Sequence, residues 1–167
     1  VQDAIERAIM KIAPCDSSGS PARSLVRAAA VQFISKFGSP EDNSKRLAVY
    51  IRQAASNGAK IVVLPETAIT GYLSHDLKTT WLKDGRKALT HSKGISPVGV
   101  AETVPGPSTE AFGALSHELG IYLTVPLLER EADNFYNTVC LLDPEGQLLL
   151  HYRKRSLWPF AEQSWAT

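Results

Sequence analysis

The chain has 167 residues, 44% of them hydrophobic and 21% charged, with a formal net charge of +1. That composition suits a soluble globular protein of one domain, and the near-neutral balance gives no electrostatic footprint for nucleic acid or an anionic membrane. No apolar run approaches the roughly 20 residues of a membrane helix, and Cys15 and Cys140 stand far apart in no metal or redox spacing, so a reducing, cytoplasmic setting is expected.

Residues 1–14 predict an amphipathic helix, with Ala4, Ile5, Ala8, Ile9 and Ile12 on one face. Asp3 and Glu6 suit its positive end and argue against a transit peptide, which would be poor in acids. Residues 15–21 (Cys-Asp-Ser-Ser-Gly-Ser-Pro) are a linker by composition. Residues 1–24 thus read as an arm and linker, either lying on the body or a neighbouring subunit or forming a disordered leader, and residues 25–167 as a domain. The start at Val1 and the stop at Thr167 without a closing element predict a piece of a longer protein.

Residues 26–34 predict the first core strand, rich in small and β-branched residues. A helix follows, with Ser39 as its N-cap, Pro40 in the first position and Glu41 and Asp42 in the first turn. Leu47, Tyr50, Ile51, Ala54 and Ala55 share its apolar face, and Gly58 suits the position after its end, where positive φ costs little. Ile61 to Leu64 is an unbroken apolar run, the pattern of a strand covered on both faces. Together these form a βαβ unit with a right-handed crossover.

Pro65 ends that strand because it has no N–H to donate, and Glu66 follows at the strand's carboxyl end, where α/β sheets place ligands. Taken alone, Glu66 reads as a surface residue in a turn; a partner would change that reading. Residues 71–105 are irregular, with Tyr72, His75, Trp81 and His91 among them and a short helix expected within 77–89. Such a stretch beside a strand-end carboxylate suits substrate binding. His75 and His91 read as ordinary loop residues, since no metal-ligand spacing joins them.

A second helix is expected over 107–119, capped by Ser108, burying Phe112, Leu115 and Leu119, and ended by Gly120. Strands are expected over 121–128, 135–142 and 147–152, the last two joined as an antiparallel hairpin by Asp143-Pro144-Glu145-Gly146, a type I turn sequence. The fold class is therefore α/β, a mixed sheet with helices on a face. Lys154, like Glu66, lies just past a strand end. If those two strands are neighbours, ammonium and carboxylate meet in one pocket, giving a base and a cationic stabiliser for a developing oxyanion. The alternative for Arg153-Lys154-Arg155 is a solvated basic cluster.

The ordered set Ala30-Val31-Gln32, residues 58–66 (Gly-Ala-Lys-Ile-Val-Val-Leu-Pro-Glu), Gly71-Tyr72, Pro105-Gly106-Pro107, Tyr136-Asn137-Thr138, Asp143-Pro144-Glu145-Gly146 and Tyr152-Arg153-Lys154 resembles the nitrilase, or carbon–nitrogen hydrolase, superfamily over residues 25–167. The resemblance implies an α-β-β-α sandwich, incomplete in this chain. It implies Glu66 as general base, Lys154 as the lysine that stabilises the tetrahedral intermediate, and Glu162 as a second glutamate that places the substrate or the lysine. It also implies hydrolysis of an amide, carbamoyl or nitrile through a cysteine thioester. The expected cysteine falls downstream of Glu162, beyond Thr167; Cys140 lies inside a strand pattern, as a core residue does.

The expectation is therefore a hydrolase of small amides or nitriles whose nucleophile is outside these 167 residues, this fragment alone being inactive. Amide or carbamoyl substrates are preferred to nitriles on the resemblance alone. Tyr72 and Trp158 are the aromatics expected to line the pocket or, equally, to be core. The resemblance implies a homo-oligomer; no residue implies a metal or organic cofactor. The competing reading is a non-catalytic or truncated binding and assembly module.

Overall fold

The computed structural model describes residues 25–87, 92–159 and 161–167; the helix expected over 1–14, the linker after it, Cys15 and His91 lie outside the described residues. The elements are β1 (Ala28–Ala30), α1 (Pro40–Ser56), β2 (Ile61–Val63), β3 (Thr79–Trp81), β4 (Lys93–Ile95), α2 (Pro107–Leu119), β5 (Tyr122–Glu131), β6 (Asn134–Leu142) and β7 (Leu148–Arg153). Short 3-10 turns occupy Pro97–Gly99 and Glu162–Ser164. Five strands form one sheet in the order β1-β2-β5-β6-β7. β1, β2 and β5 run parallel, while β5–β6 and β6–β7 are antiparallel pairs.

Both helices follow from their sequence signals. α1 starts at Pro40 as expected, although the Ser39 side chain makes no capping bond. The fully buried Asn43 does the tethering there: its amide accepts from Lys36 N at 2.8 Å and donates to Ile69 O at 2.9 Å. It thereby fastens the start of α1 to the loop after Glu66. Gly58, at φ +83°, turns the chain out of α1 and into β2. α2 spans the expected residues, but its N-cap is Gly106, and Ser108 sits in the first turn. There the Glu102 carboxylate accepts from Ser108 N at 2.7 Å and from Ser108 Oγ at 2.6 Å. A negative group is well placed against the exposed N–H groups and dipole of a helix start.

The main core lies between the two helices and one face of the sheet. Leu47 and Ile51 of α1 and Phe112 and Leu115 of α2 meet Val62, Leu123, Val125, Leu127, Cys140 and Leu142. A second cluster of Trp81, Leu128, Phe135, Trp165 and Ala166 closes the far end of the β5–β6 hairpin. The Asp143–Gly146 turn is hydrogen-bonded, Gly146 N to Asp143 O at 2.9 Å, and β6 and β7 pair across it as expected.

Three expectations need correction. The first strand is short, Ala28–Ala30 where 26–34 was expected. β2 is covered on one face only: Val62 is fully buried beneath the helices, whereas Val63 is 42% exposed. An unbroken apolar run reports that both faces are meant to be covered, and one of the two covers is not supplied by the described residues. Within 77–89 there is no helix among the described residues; Thr79–Trp81 pairs in parallel with Lys93–Ile95. Thr79 and Thr80 favour that extended backbone, because β-branched side chains are stiff at χ1 and crowd a helix.

Candidate active site

Glu66 stands where the parallel part of the sheet ends. β2 stops at Val63, and Leu64 N, freed from the ladder, donates to Thr124 Oγ1 of β5 at 2.8 Å. Thr67, directly after Glu66, is fully buried at φ +48°, a costly conformation for a β-branched residue. The turn is held by Ala68 N to Pro65 O at 3.1 Å, Gly71 N to Thr67 O at 2.8 Å and Ser35 Oγ to Ala68 O at 2.9 Å. This over-determined loop aims the Glu66 side chain across the ends of the neighbouring strands.

Lys154 comes from the other side. It is the first residue after β7, and its backbone N–H donates to Asn137 O of β6 at 2.8 Å. β2 and β7 are not neighbours, the condition on which the sequence made that meeting depend; β5 and β6 lie between them. The two head groups nevertheless meet: Lys154 Nζ is 2.9 Å from Glu66 Oε1 and 2.8 Å from Glu162 Oε2. A long lysine stem and a glutamate standing beyond its own strand end bridge the gap. Asn137, on the intervening β6, supplies the middle of the bridge. Its Nδ2 donates to Glu66 Oε1 at 2.6 Å and also to Glu162 Oε1, using both hydrogens of one amide.

Glu162 is completely buried, at the start of the 3-10 turn Glu162–Ser164. It accepts from Asn137, from Lys154 and from Trp158 N. Burial alone would raise its pKa, but the bonds from Lys154, Trp158 N and Asn137 outweigh burial and hold it below the usual carboxylate range. Lys154 shows the mirror image: burial disfavours its charge, and the bonds to Glu162 and Glu66 more than offset this, so its pKa is raised. The ammonium is therefore kept, shared between two carboxylates. Among the described residues no donor reaches the second oxygen of Glu66, and its side chain is 51% exposed. Oε1 is held by both donors, and Glu66 lines a cleft of about 260 Å³ together with Leu64, Pro126, Asn137, Tyr152 and Lys154.

Tyr72 and Trp158 stand at the edge of this group, their rings 6.0 Å apart. Neither is fully buried core. Partial burial, followed by the negative charges of Glu162 and Glu66, pushes the Tyr72 hydroxyl far above the ordinary phenol range, so it remains a proton donor. Cys140 lies in β6, fully buried on the helix side of the sheet, and burial followed by the charge of Glu129 pushes its thiol up to about 11. It is a packing residue, as its strand position suggested. Among the described residues no group of three or more His, Cys, Asp or Glu is arranged to hold a metal. No helix among them is long and apolar enough to cross a membrane.

Two polar residues at this strand end had no role in the sequence reading. Asn137 was visible only inside the Tyr136-Asn137-Thr138 motif, with nothing to say which way its amide points. Glu129 falls one residue past the strand expected over 121–128, yet β5 continues to Glu131 and buries Glu129 to 2% exposure. Arg153, counted with its neighbours as a solvated cluster, is bonded to it.

Comparison with known proteins identifies the family. The family model described as carbon-nitrogen hydrolase matches residues 27–166. The chain is 35% identical over 120 residues to the omega-amidase NIT2 of Homo sapiens, covering 70% of this chain and 36% of that protein. It is 29% identical over 153 residues to an aliphatic nitrilase of Sinorhizobium fredii (strain HH103), covering 83% of this chain and 46% of the relative. The crystal structure of a carbon-nitrogen hydrolase from Helicobacter pylori G27 superposes with a TM-score of 0.66 at 19% identity, over 85% of this chain and 44% of that one. The chain thus spans less than half the length of each of these proteins. With a family match that runs through nearly all the described residues, the chain belongs to the carbon–nitrogen hydrolase family.

Proposed function

We propose that Glu66, Lys154 and Glu162 are the base, oxyanion-stabilising and lysine-holding groups of a hydrolase that cleaves non-peptide carbon–nitrogen bonds. The observation that carries this reading is the Lys154 ammonium, 2.9 Å from Glu66 and 2.8 Å from the buried Glu162 at the mouth of the sheet. Residues 25–167 act as the amino-terminal part of the hydrolase domain, and the attacking cysteine comes from outside the 167 residues. A thiol is mostly protonated near neutral pH and needs an adjacent base. The open oxygen of Glu66 takes that proton as sulfur attacks the substrate carbon. The oxyanion that forms is met by Lys154 Nζ, whose charge Glu162 and Asn137 keep in place. Glu66 then returns the proton to the departing ammonia, leaving a thioester. It next deprotonates the water that hydrolyses the thioester, releasing the acid and the free thiol.

An amide or carbamoyl substrate is preferred to a nitrile. What supports the preference is the resemblance alone, and the relative with the higher identity of the two named above is an omega-amidase. Tyr72 and Trp158 are assigned to the substrate-facing rim. A cytoplasmic homo-oligomer without metal or organic cofactor completes the reading. The competing reading is a non-catalytic or truncated binding or assembly module that keeps the same pocket.

The test is ammonia release from a panel of small amides and nitriles by the protein extended through the expected cysteine. Glu66→Gln is expected to lower turnover by at least about 100-fold, and Lys154→Ala by about 100- to 1,000-fold, with circular dichroism unchanged. Full activity in either variant removes that residue's role. Absence of any cysteine downstream, with substrate still bound, favours the binding module.

A further inference from the structure

The opposite face of the strand end that carries Lys154 holds a second polar cluster. Side chains alternate across a strand, so Arg153 and Lys154 point to opposite faces. Arg153 Nε lies 3.1 Å from Glu129 Oε2, and its Nη2 bonds Glu129 Oε1, making a two-pronged contact. Thr138 Oγ1 donates to Glu129 Oε2 at 2.6 Å, and His151 Nε2 lies 2.8 Å from the same oxygen. Arg153 Nη1 reaches Glu131 Oε2 at 3.0 Å, and the guanidinium lies 3.9 Å over the Tyr136 ring. Every side chain in this cluster comes from β5, β6 or β7.

A carboxylate at 2% exposure is costly unless fully bonded. The chemistry proposed for Glu66 and Lys154 makes no use of Glu129. Its position answers a mechanical need. β7 is the outermost strand of the sheet, and Leu148, Leu149, Leu150 and Tyr152 are all exposed, so among the described residues apolar packing does little to fix it. Lys154 hangs from the end of that strand on one backbone bond, to Asn137 O. The next side chain back is Arg153, and it is the one clamped.

We propose that Glu129 is a positioning residue for Lys154: by gripping Arg153 from the far face of the sheet, it fixes the end of β7 so that the Lys154 ammonium stands between Glu66 and Glu162. The inference rests on the reading of Lys154 as the oxyanion-stabilising group. A planar, two-pronged grip sets direction as well as distance, which a point charge would not. Displacements near 1 Å at a reacting centre are enough to cost about 100-fold in rate.

The experiment uses the extended, cysteine-containing protein and has two readouts: steady-state ammonia release, and titration of Lys154 followed by NMR of 13Cε-labelled lysine, its signal assigned by loss in Lys154→Arg. In Glu129→Gln, kcat is expected to fall about 10- to 100-fold with KM little changed. The Lys154 titration should move down as the ammonium leaves its two carboxylates. Arg153→Lys, which keeps the charge but loses the fork, is expected to do the same more weakly, and it carries the test if Glu129→Gln does not yield folded protein. Unchanged kcat in folded Glu129→Gln overturns the proposal. So does a fall in kcat with the Lys154 titration unmoved, because a merely structural role would lower the folded fraction and leave Lys154 alone. If Lys154→Ala keeps full turnover, the hydrolase reading fails instead, and the NMR titration alone still decides whether Glu129 positions Lys154.

Discussion

At the scale of single residues, the site is a problem of two acids and one base. Glu66 and Glu162 would repel each other at this range, and Lys154 with Asn137 makes their closeness tolerable. Removing Asn137 should therefore matter more than losing a neutral side chain usually does. Asn137→Ala leaves a fully buried carboxylate one donor short, and a loss of about 1–3 kcal/mol in unfolding free energy is expected by chemical denaturation. The same groups set a pH window. Glu162 has a lowered pKa in the folded protein, so its contribution to stability is present above the unfolded value of 4.5 and is lost as pH falls through the folded one. Lys154 has a raised pKa, so its contribution is present below the unfolded value of 10.5 and is lost as pH rises through the folded one. Thermal unfolding should show a plateau between these limits, and Glu162→Gln should flatten its acid limb; an acid limb identical to wild type contradicts the assignment.

At the scale of elements, the legible parts were those with local chemistry. α2 and its end at Gly120 follow from periodicity and stop signals, and the β6–β7 hairpin from its turn sequence. Glu66 and Lys154 were legible because each follows a strand and matches a family motif. What stayed hidden depends on partners distant in sequence. Asn137 looks like any polar strand residue until its amide is seen to span two loops. Glu129 is named by its burial, and burial required β5 to run past its expected end. β3 was hidden because it pairs in parallel with β4, so no hairpin turn between them announces the pair. One close approach also escaped the sequence: a side chain at Gly146, at φ +80°, would meet the Gly113 carbonyl oxygen of α2 at 2.6 Å. Gly146→Ala is expected to destabilise the protein by about 1–3 kcal/mol by forcing a strained φ and separating the hairpin turn from α2. Thermal melting would measure this; an unchanged midpoint would mean that the turn and the helix are not in fixed contact.

At the scale of the whole molecule, the described residues cover one face of the sheet with helices and leave part of the other bare. The helices pack on the first; on the second, Val63, Tyr122, Leu150 and Tyr152 are exposed along β2, β5 and β7. This agrees with a chain that spans less than half the length of its relatives, since the resemblance implies an α-β-β-α sandwich and the described residues supply its first helix and sheet layers. The 167 residues alone are expected to release no ammonia and to bind a hydrophobic dye through the bare face, and the extended protein to lose that binding. On the proposed function, Glu66 and Lys154 work as one unit. A double-mutant cycle on kcat/KM measures this most directly. Glu66→Gln with Lys154→Ala should be little worse than either single change, because each removes a part the other needs. Losses that multiply independently in the double variant would contradict the account.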